Sequence, residues 1–292
     1  MKRHYLVLIL GVISVSFAAI FIRLAAEAPP PVIAAYRMVL ASLVIVPLAW
    51  WHSGKELRRL PRRDILLALG SGAFLALHFR LWIASLSYTS VATSVILVTT
   101  TPIFVAIASY FLFHEKLGRQ TGIGIVVSIV GAIIIGYSNW KVGPGSLFGG
   151  LLALLGAFAV VGYMLIGRKL MRSISLLSYI SLAYGSAAVL LLLSALIFGY
   201  KLVGYSTNTY IWLVLLAVVP QLIGHSSVNW SLRFISATLV TVAVLGEPVG
   251  ATILASLILR EPPTISEIGG GILILTGIFI AFRKGESPPR ST

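Results

Sequence analysis

Cysteine is absent from the 292 residues, which excludes disulfides, thiolate metal sites and cysteine nucleophiles. Charged residues are scarce as well, at 10% of the chain, whereas water-soluble domains carry about 25%. Hydrophobic residues make up 58% of the sequence, and the mean hydropathy is +1.01. Such a chain cannot cover itself with a polar surface, so its surroundings must be mostly lipid.

The apolar residues form long continuous runs and not ten-residue alternating segments. Because lipid offers the backbone no hydrogen-bond partners, these runs predict an all-α integral membrane protein and not a barrel. The first run follows Met1-Lys2-Arg3-His4 like a signal peptide, but it continues to about Ala26, so we interpret it as a retained span. Ten spans are predicted, near 5–25, 30–51, 64–86, 90–113, 119–139, 145–167, 174–199, 208–231, 236–259 and 265–283.

A formal net charge of +14 is typical of nucleic-acid-binding proteins, but here the basic residues cluster in short segments between the spans. With the N-terminus placed in the cytoplasm, sixteen of the 22 Lys and Arg residues lie on the cytoplasmic side and four on the other. Arg37 and Arg80 lie inside spans. Basic loops stay in the cytoplasm, so we predict two cytoplasmic termini, a plasma-membrane location and no nucleic-acid partner.

An internal repeat divides the chain, because the segments that begin at Ser85 and Ser231 align without gaps at an offset of 146 residues. We predict a first repeat at 1–140, a second at 141–284 and a disordered cytoplasmic tail at 285–292. Five spans per repeat is an odd number, so the second repeat is inserted upside down. The aligned pairs include Pro102 with Pro248, Glu115 with Glu261, Gly124 with Gly270, and Gly131 with Gly277.

Inverted repeats are typical of carriers that expose one central site to each side of the membrane in turn. A channel would instead favour a continuous pore. The sequence has no HExxH, GxSxG or phosphate-loop motif and only one aspartate, Asp64, so we expect neither catalysis nor nucleotide hydrolysis. We expect no cofactor or metal site. A receptor or scaffold without transport stays open.

Two segments carry a family resemblance: Thr101-Pro102-Ile103-Phe104 running to Phe113-His114-Glu115-Lys116, and Gly246-Glu247-Pro248-Val249 running to Leu259-Arg260-Glu261-Pro262. Together with the two repeats, they resemble the ten-span EamA-type branch of the drug/metabolite transporter superfamily. The resemblance implies a central cavity lined by spans one to four and six to nine, with spans five and ten peripheral. It implies substrates such as amino acids, nucleotide sugars or drugs, and leaves the choice open.

Charged groups inside the membrane need a partner, a cavity or a function, because each costs at least about 2.5 kcal/mol. Glu247, before Pro248 in the ninth span, is the strongest candidate for substrate binding or ion coupling; it could carry a proton or be held ionised by an arginine. Arg37 could pair with Glu247, bind a substrate carboxylate or phosphate, or extend to the headgroups. The Arg80 side chain could likewise extend to the headgroups.

Further candidates for the cavity are polar or aromatic. His78 and Trp82 are four residues apart and share a helix face that Arg80 does not. The eighth span carries Gln221, His225 and Asn229 at four-residue steps, so this polar stripe is expected to face the interior, and either histidine could merely bridge helices. Thr101 adds a hydroxyl next to Pro102, and both Pro102 and Pro248 are predicted to kink their helices.

These inferences combine into one prediction. The chain is expected to be a secondary active transporter, exporting a small polar metabolite such as an amino acid by alternating access, with proton coupling as an open question. Its partners are expected to be the small-molecule substrate and the lipid bilayer. The glycines of spans five and ten are expected to allow close helix packing, within a monomer or in a homodimer.

Overall fold

The computed structural model describes residues 3–89, 94, 97, 98, 100–114, 118–137, 144–258, 260 and 265–282. Within these ranges the chain folds into helices. In chain order they are Arg3–Ser16, Ala18–Leu24, Pro30–Arg59, Arg62–Ser85, Thr101–Phe113, Arg119–Tyr137, Pro144–Leu170, Leu176–Ile197, Thr207–Leu216, the π-helix Ala217–His225, Ser226–Ser231, Ala237–Val244, Glu247–Ile258 and Ile265–Phe282.

The helices confirm the predicted fold class of ten spans in two inverted repeats. Within the described residues, seven single or broken helices are long and apolar enough to cross a membrane, and three shorter apolar helices stand at spans four, five and ten. We number the spans one to ten as in the sequence. Spans one, eight and nine each consist of more than one helical segment.

Contacts at the ends of the helices define the two ends of the helix bundle. Tyr5 packs against Phe282 with ring centres 5.9 Å apart, so the two ends of the described chain meet. His4 stacks on Phe234, between spans eight and nine, at 5.8 Å. We call this the termini end. At the opposite end, the hydroxyl of Tyr36 donates a hydrogen bond to the carbonyl of Leu202 at 2.8 Å.

Helix packing follows the internal repeat. Span one packs on span eight as span three packs on span six, and span two crosses to span seven. Spans four and nine meet each other, and so do spans five and ten. Exchanging each span with its counterpart five spans later leaves this pattern unchanged, so one central region is enclosed by equivalent helices from both halves.

Spans five and ten pack closely within one chain through their glycines. A side-chain carbon at Gly124 would meet the carbonyl oxygen of Gly277 at 2.5 Å, and one at Gly131 would meet that of Gly270 at the same distance. The Ser128 hydroxyl donates to the carbonyl of Ile274, 146 residues away. These positions therefore serve helix approach inside the monomer.

Two helices differ from the sequence prediction. The second span continues to Arg59, although a loop was predicted at 52–63, and it ends just before Pro61. The helix passes Pro47 and Gly54, and its backbone departs from helical geometry only at Ser53. In the eighth span, Ala217–His225 is a π-helix around Pro220, where a regular α-helix was predicted. Proline has no N–H to donate, and the wider turn is one way to absorb that loss.

The predicted proline kinks take the form of breaks between helices. The ninth span ends one helix at Val244 and begins the next at Glu247, so Pro248 is the second residue of a new helix. Pro102 holds the same position after Thr101 in the fourth span. At the start of a helix the missing N–H of proline has no partner to lose, so proline is tolerated there.

Several predictions lie outside the described residues. These are the start of the fourth span at 90–93, Glu115 and Glu261 of the family segments, the boundary between the repeats at 140 and 141, and the tail at 285–292. The predicted domain bounds therefore stay predictions.

Candidate functional site

A cavity lies among spans one, two, three, four, six, eight and nine. It encloses about 90 Å³, which is room for about three water molecules at their liquid volume of about 30 Å³ each. Of the predicted site residues, seven line it: Arg37, His78, Trp82, Thr101, Pro102, His225 and Glu247. Apolar side chains such as Val15, Met164 and Val244 form most of the remaining wall.

Arg37 is fully buried and rigidly held. Its Nε donates a hydrogen bond to Oε1 of Gln221 at 2.8 Å, and its guanidinium carbon lies 4.0 Å from the centre of the Phe79 ring. Its Nη1 and Nη2 atoms have no hydrogen-bond partner among the described residues. Burying unpaired donors on a charged group is costly, so the guanidinium is set up to receive an acceptor from the cavity.

Glu247 supplies the opposite charge. It is the first residue of the second helix of the ninth span, so its carboxylate is close to the positive end of that helix dipole. It lines the same cavity as Arg37, and the two charges attract each other. Because the Nη atoms of Arg37 are unpartnered, the two side chains attract without a hydrogen bond through those atoms.

His78 and Trp82 form a flat aromatic wall. Their rings are nearly parallel, at 10°, with centres 5.9 Å apart. The ring nitrogen Nδ1 of His78 is 2.9 Å from the carbonyl oxygen of Gly156, and because a carbonyl only accepts, Nδ1 carries the proton. In the neutral ring Nε2 is then an acceptor. The indole N–H of Trp82 is buried without a partner, so it is a further free donor.

His225 enters the cavity from the eighth span. Its ring meets Phe79 edge-on, with centres 5.4 Å apart at 74°. At the repeat offset of 146, His225 corresponds to Phe79 and not to His78. The two histidines therefore reach the cavity from adjacent repeat positions.

Gln221 and Asn229, two of the predicted site residues, do not line the cavity and instead support it. Gln221 fixes Arg37, whereas the amide of Asn229 donates to the hydroxyl of Tyr163 and, at 3.5 Å, to that of Tyr184. Both are fully buried. The polar stripe of the eighth span thus faces the interior, but only His225 reaches the cavity itself.

Two residues at or beside the cavity were not predicted from the sequence. Phe79 does not line the cavity but packs against the Arg37 guanidinium, and Thr241 lines the cavity from the ninth span. Phe79 could have been found as the repeat counterpart of His225, whereas nothing local marks Thr241. Arg80 is not among the lining residues, and within the described residues no three His, Asp or Glu side chains group as a metal site would require.

Two arginines tie the second repeat together at the termini end. Nη1 of Arg168, from the end of span six, donates to the carbonyls of Leu232 and, at 2.8 Å, Ile235 after span eight. Arg233 returns the contact, with Nε 3.0 Å from the carbonyl of Met171 and Nη2 2.7 Å from that of Ile174. We call these four hydrogen bonds the arginine clamp. It holds spans six and eight together at this end.

Comparison with known proteins identifies relatives along the whole chain. Residues 2–137 and 147–283 each match the EamA-like transporter family. An uncharacterized transporter of Bacillus subtilis, YetK, is 27% identical over 265 residues, which cover 86% of this chain and 78% of the relative. An uncharacterized transporter of Archaeoglobus fulgidus is 25% identical over 299 residues, or 97% and 98% of the two chains.

A solved structure supports the fold. A chain described only as the crystal structure of a protein superimposes with a TM-score of 0.81, at 18% sequence identity, over 97% of this chain and 98% of its own. At that identity the likeness concerns architecture and not activity. The family match covers both repeats, and the relatives are named transporters, so this multi-pass membrane protein is a transporter that belongs to the EamA-like transporter family.

Proposed function

We propose that this protein is a secondary active transporter that exports a small carboxylate-bearing metabolite, such as an amino acid, by alternating access. The observation that carries the proposal is the buried guanidinium of Arg37, with two unpartnered nitrogens in a cavity that Glu247 shares. A carboxylate would accept from Nη1 and Nη2, and an ammonium group on the same molecule would meet Glu247.

The size and charge of the cavity favour this substrate class over larger ones. A volume of about 90 Å³ suits a molecule of a few heavy atoms and is too small for a nucleotide sugar in this conformation. Within the part of the chain that the structure describes, Arg37 is the one arginine or lysine that lines the cavity, so it matches a single carboxylate better than a diphosphate. The apolar wall would contact the side chain of the substrate.

The energy source in this proposal is an ion gradient, because the sequence carries no motif for nucleotide hydrolysis. Glu247 is the proposed proton carrier. Protonation removes its charge and with it the attraction for Arg37 and for a substrate ammonium, so substrate and proton compete for one site.

Transport itself tests the proposal. The purified protein is reconstituted into liposomes and offered a pooled mixture of amino acids and related metabolites, with and without an imposed pH gradient, and uptake is read by mass spectrometry. Saturable accumulation of one amino acid or a narrow group supports the proposal. Folded protein that accumulates nothing, with substrate pre-loaded on either side, would favour a receptor or scaffold.

The proposed orientation places both termini in the cytoplasm of a cell whose plasma membrane holds the protein. Because the sequence has no cysteine, a single introduced cysteine is the sole thiol of this protein that a maleimide can label. Lys201→Cys, in the loop after span seven, is expected to react with a membrane-impermeant maleimide in intact cells, whereas Lys55→Cys reacts only after lysis. The reverse pattern would refute the orientation.

A further inference from the structure

A second, larger hollow lies on the lipid-facing side of the bundle, between spans one, nine and ten. We call it the lateral groove. It has a volume of about 830 Å³, begins at Tyr5 and Phe282 near the termini end, and reaches Ser16 and Gly250. Among the described lining residues, only Tyr5 and Ser16 have a polar side-chain atom, and the Ser16 hydroxyl is already bonded to the carbonyl of Val12 at 2.8 Å.

The groove spans one leaflet of the bilayer. Tyr5 and Ser16 are eleven residues apart on one helix, and at about 1.5 Å per residue this distance is about 16 Å. Half of a hydrocarbon core about 30 Å thick is about 15 Å. The groove therefore runs from the headgroup level at the termini end to the middle of the membrane.

The internal repeat shows which side chains fill the equivalent space between spans four and six. At the offset of 146, Val12 corresponds to Phe158 and Gly250 corresponds to Phe104. Phe104 and Phe158 pack edge-on between spans four and six, with ring centres 5.9 Å apart. Spans one and nine have a valine and a glycine where spans four and six have this pair of aromatic rings, so the equivalent space between spans one and nine is not filled by side chains.

We propose that the lateral groove binds an acyl chain of a phospholipid from the leaflet at the termini end. The groove opens between Ile9, Ile13, Ile253 and Phe279, which are 47–65% exposed and face the hydrocarbon core. An apolar hollow of this size does not hold ordered water, and the medium at its mouth consists of acyl chains. Its depth fits one chain of one leaflet.

The bound chain acts on the ninth span. The inner part of the groove is lined by Gly246 and Gly250, which flank the start of the second helix at Glu247. An acyl chain there fills the space between span one and the break in span nine, and restrains the two helices relative to each other. This inference rests on the membrane fold and is independent of the proposed substrate.

Photo-crosslinking tests the groove without any variant. The protein is reconstituted in nanodiscs that contain phosphatidylglycerol with a diazirine in its acyl chain, irradiated, digested and mapped by mass spectrometry. Labels are expected on spans one, nine and ten between Tyr5 and Ser16 and near Ile253. The repeat-equivalent surface of spans four, five and six in the same molecule is the internal control, and equal labelling there would overturn the proposal.

A matched pair of variants on span one sharpens the test. Val12→Phe restores the residue of the other repeat and is expected to abolish labelling within the groove. Leu10→Phe places the same ring on a lipid-facing position, 50% exposed, that does not line the groove, and is expected to leave the labels unchanged. Unchanged labelling in Val12→Phe, or crosslinks between two protein copies across this face, would refute lipid binding.

Discussion

The fourth and ninth spans share a backbone plan and differ in chemistry. Both begin a new helix in the middle of the bundle, with a proline as its second residue, at positions 146 residues apart. The first residue of that helix is Thr101 in one repeat and Glu247 in the other. Duplication has thus preserved the breaks, whereas the charge at the break belongs to one half.

The positive charge of the cavity is also present in one repeat only, and this is the repeat that lacks the glutamate. Arg37 belongs to the first repeat, and the alignment that pairs Tyr36 with Tyr184 places Gly185 opposite it. Each repeat therefore contributes one charge of opposite sign, at positions that do not correspond. Symmetric helices enclose an asymmetric site, which suits a substrate with two different ends.

The largest effect is expected from removing the charge of the first repeat. Arg37→Met is expected to weaken substrate binding more than about a hundredfold, because it removes two hydrogen bonds to the substrate and hydrogen bonds to charged groups contribute about 1.5–3 kcal/mol each. Saturation of uptake in proteoliposomes measures it. Arg80→Met, the same substitution outside the cavity, is the control, and equal loss in both variants would show that Arg37 has no specific role.

The charge of the second repeat is expected to control coupling. Glu247→Gln keeps the shape of the side chain and removes its charge and its titration, so substrate should bind more weakly and the remaining uptake should no longer respond to a pH gradient. Thr101→Val tests the equivalent position of the other repeat and should leave the response intact. If uptake driven by a pH gradient is undiminished in Glu247→Gln, this carboxylate is not the proton carrier.

A moderate loss of stability is expected from opening the arginine clamp. Arg168 is 2% exposed, and Arg168→Ala leaves the carbonyls of Leu232 and Ile235 without their donor. The free energy of unfolding should fall by about 2–3 kcal/mol. At the repeat offset Arg168 corresponds to Ile22, so the first repeat has no equivalent.

Denaturation in mixed micelles measures this loss. Lys169→Ala, which removes a neighbouring exposed charge, is the control. If the two variants unfold alike, the clamp does not contribute to stability.

The smallest effect concerns the opposite end of the bundle and depends on pH. Hydrogen bonds from Thr209 and Ser206 hold the pKa of Glu27 below its usual value. A carboxylate with a lowered pKa stabilises the fold above the unfolded value of about 4.3, and this contribution is lost as the pH falls through the folded value.

Glu27→Gln should therefore lower the Tm slightly at pH 7, and the difference from the wild type should vanish as the pH falls below about 4. Thr209→Val, which removes the donor with the largest effect, should show part of the same loss. A difference in Tm that does not change with pH would contradict the assigned cause.

The sequence predicted what depends on composition and repetition. Ten apolar runs, the prolines at Pro102 and Pro248, and the shared face of His78 and Trp82 follow from hydropathy, alignment and helix periodicity. The π-helix around Pro220 was not predictable in this way, because a proline permits either a kink or a wider turn. Neighbouring helices decide between them.

The contacts of the buried side chains could not be predicted from the sequence either, because neighbouring helices also decide them. That Arg37 turns inward follows from Gln221, 184 residues away, and from the ring of Phe79, and neither is marked by local pattern. The lateral groove depends on comparing Val12 and Gly250 with their repeat counterparts after the packing is known. Contacts distant in the chain determine both features.

The most direct test of the two-charge site compares an amino acid that the protein transports with the amine left when its carboxylate is removed. In proteoliposomes with wild-type protein, the amino acid should be taken up saturably and the amine should neither enter nor compete, whereas Arg37→Met should no longer distinguish the two. Equal uptake of the amine by the wild type would contradict the assignment of Arg37 as the carboxylate-binding residue.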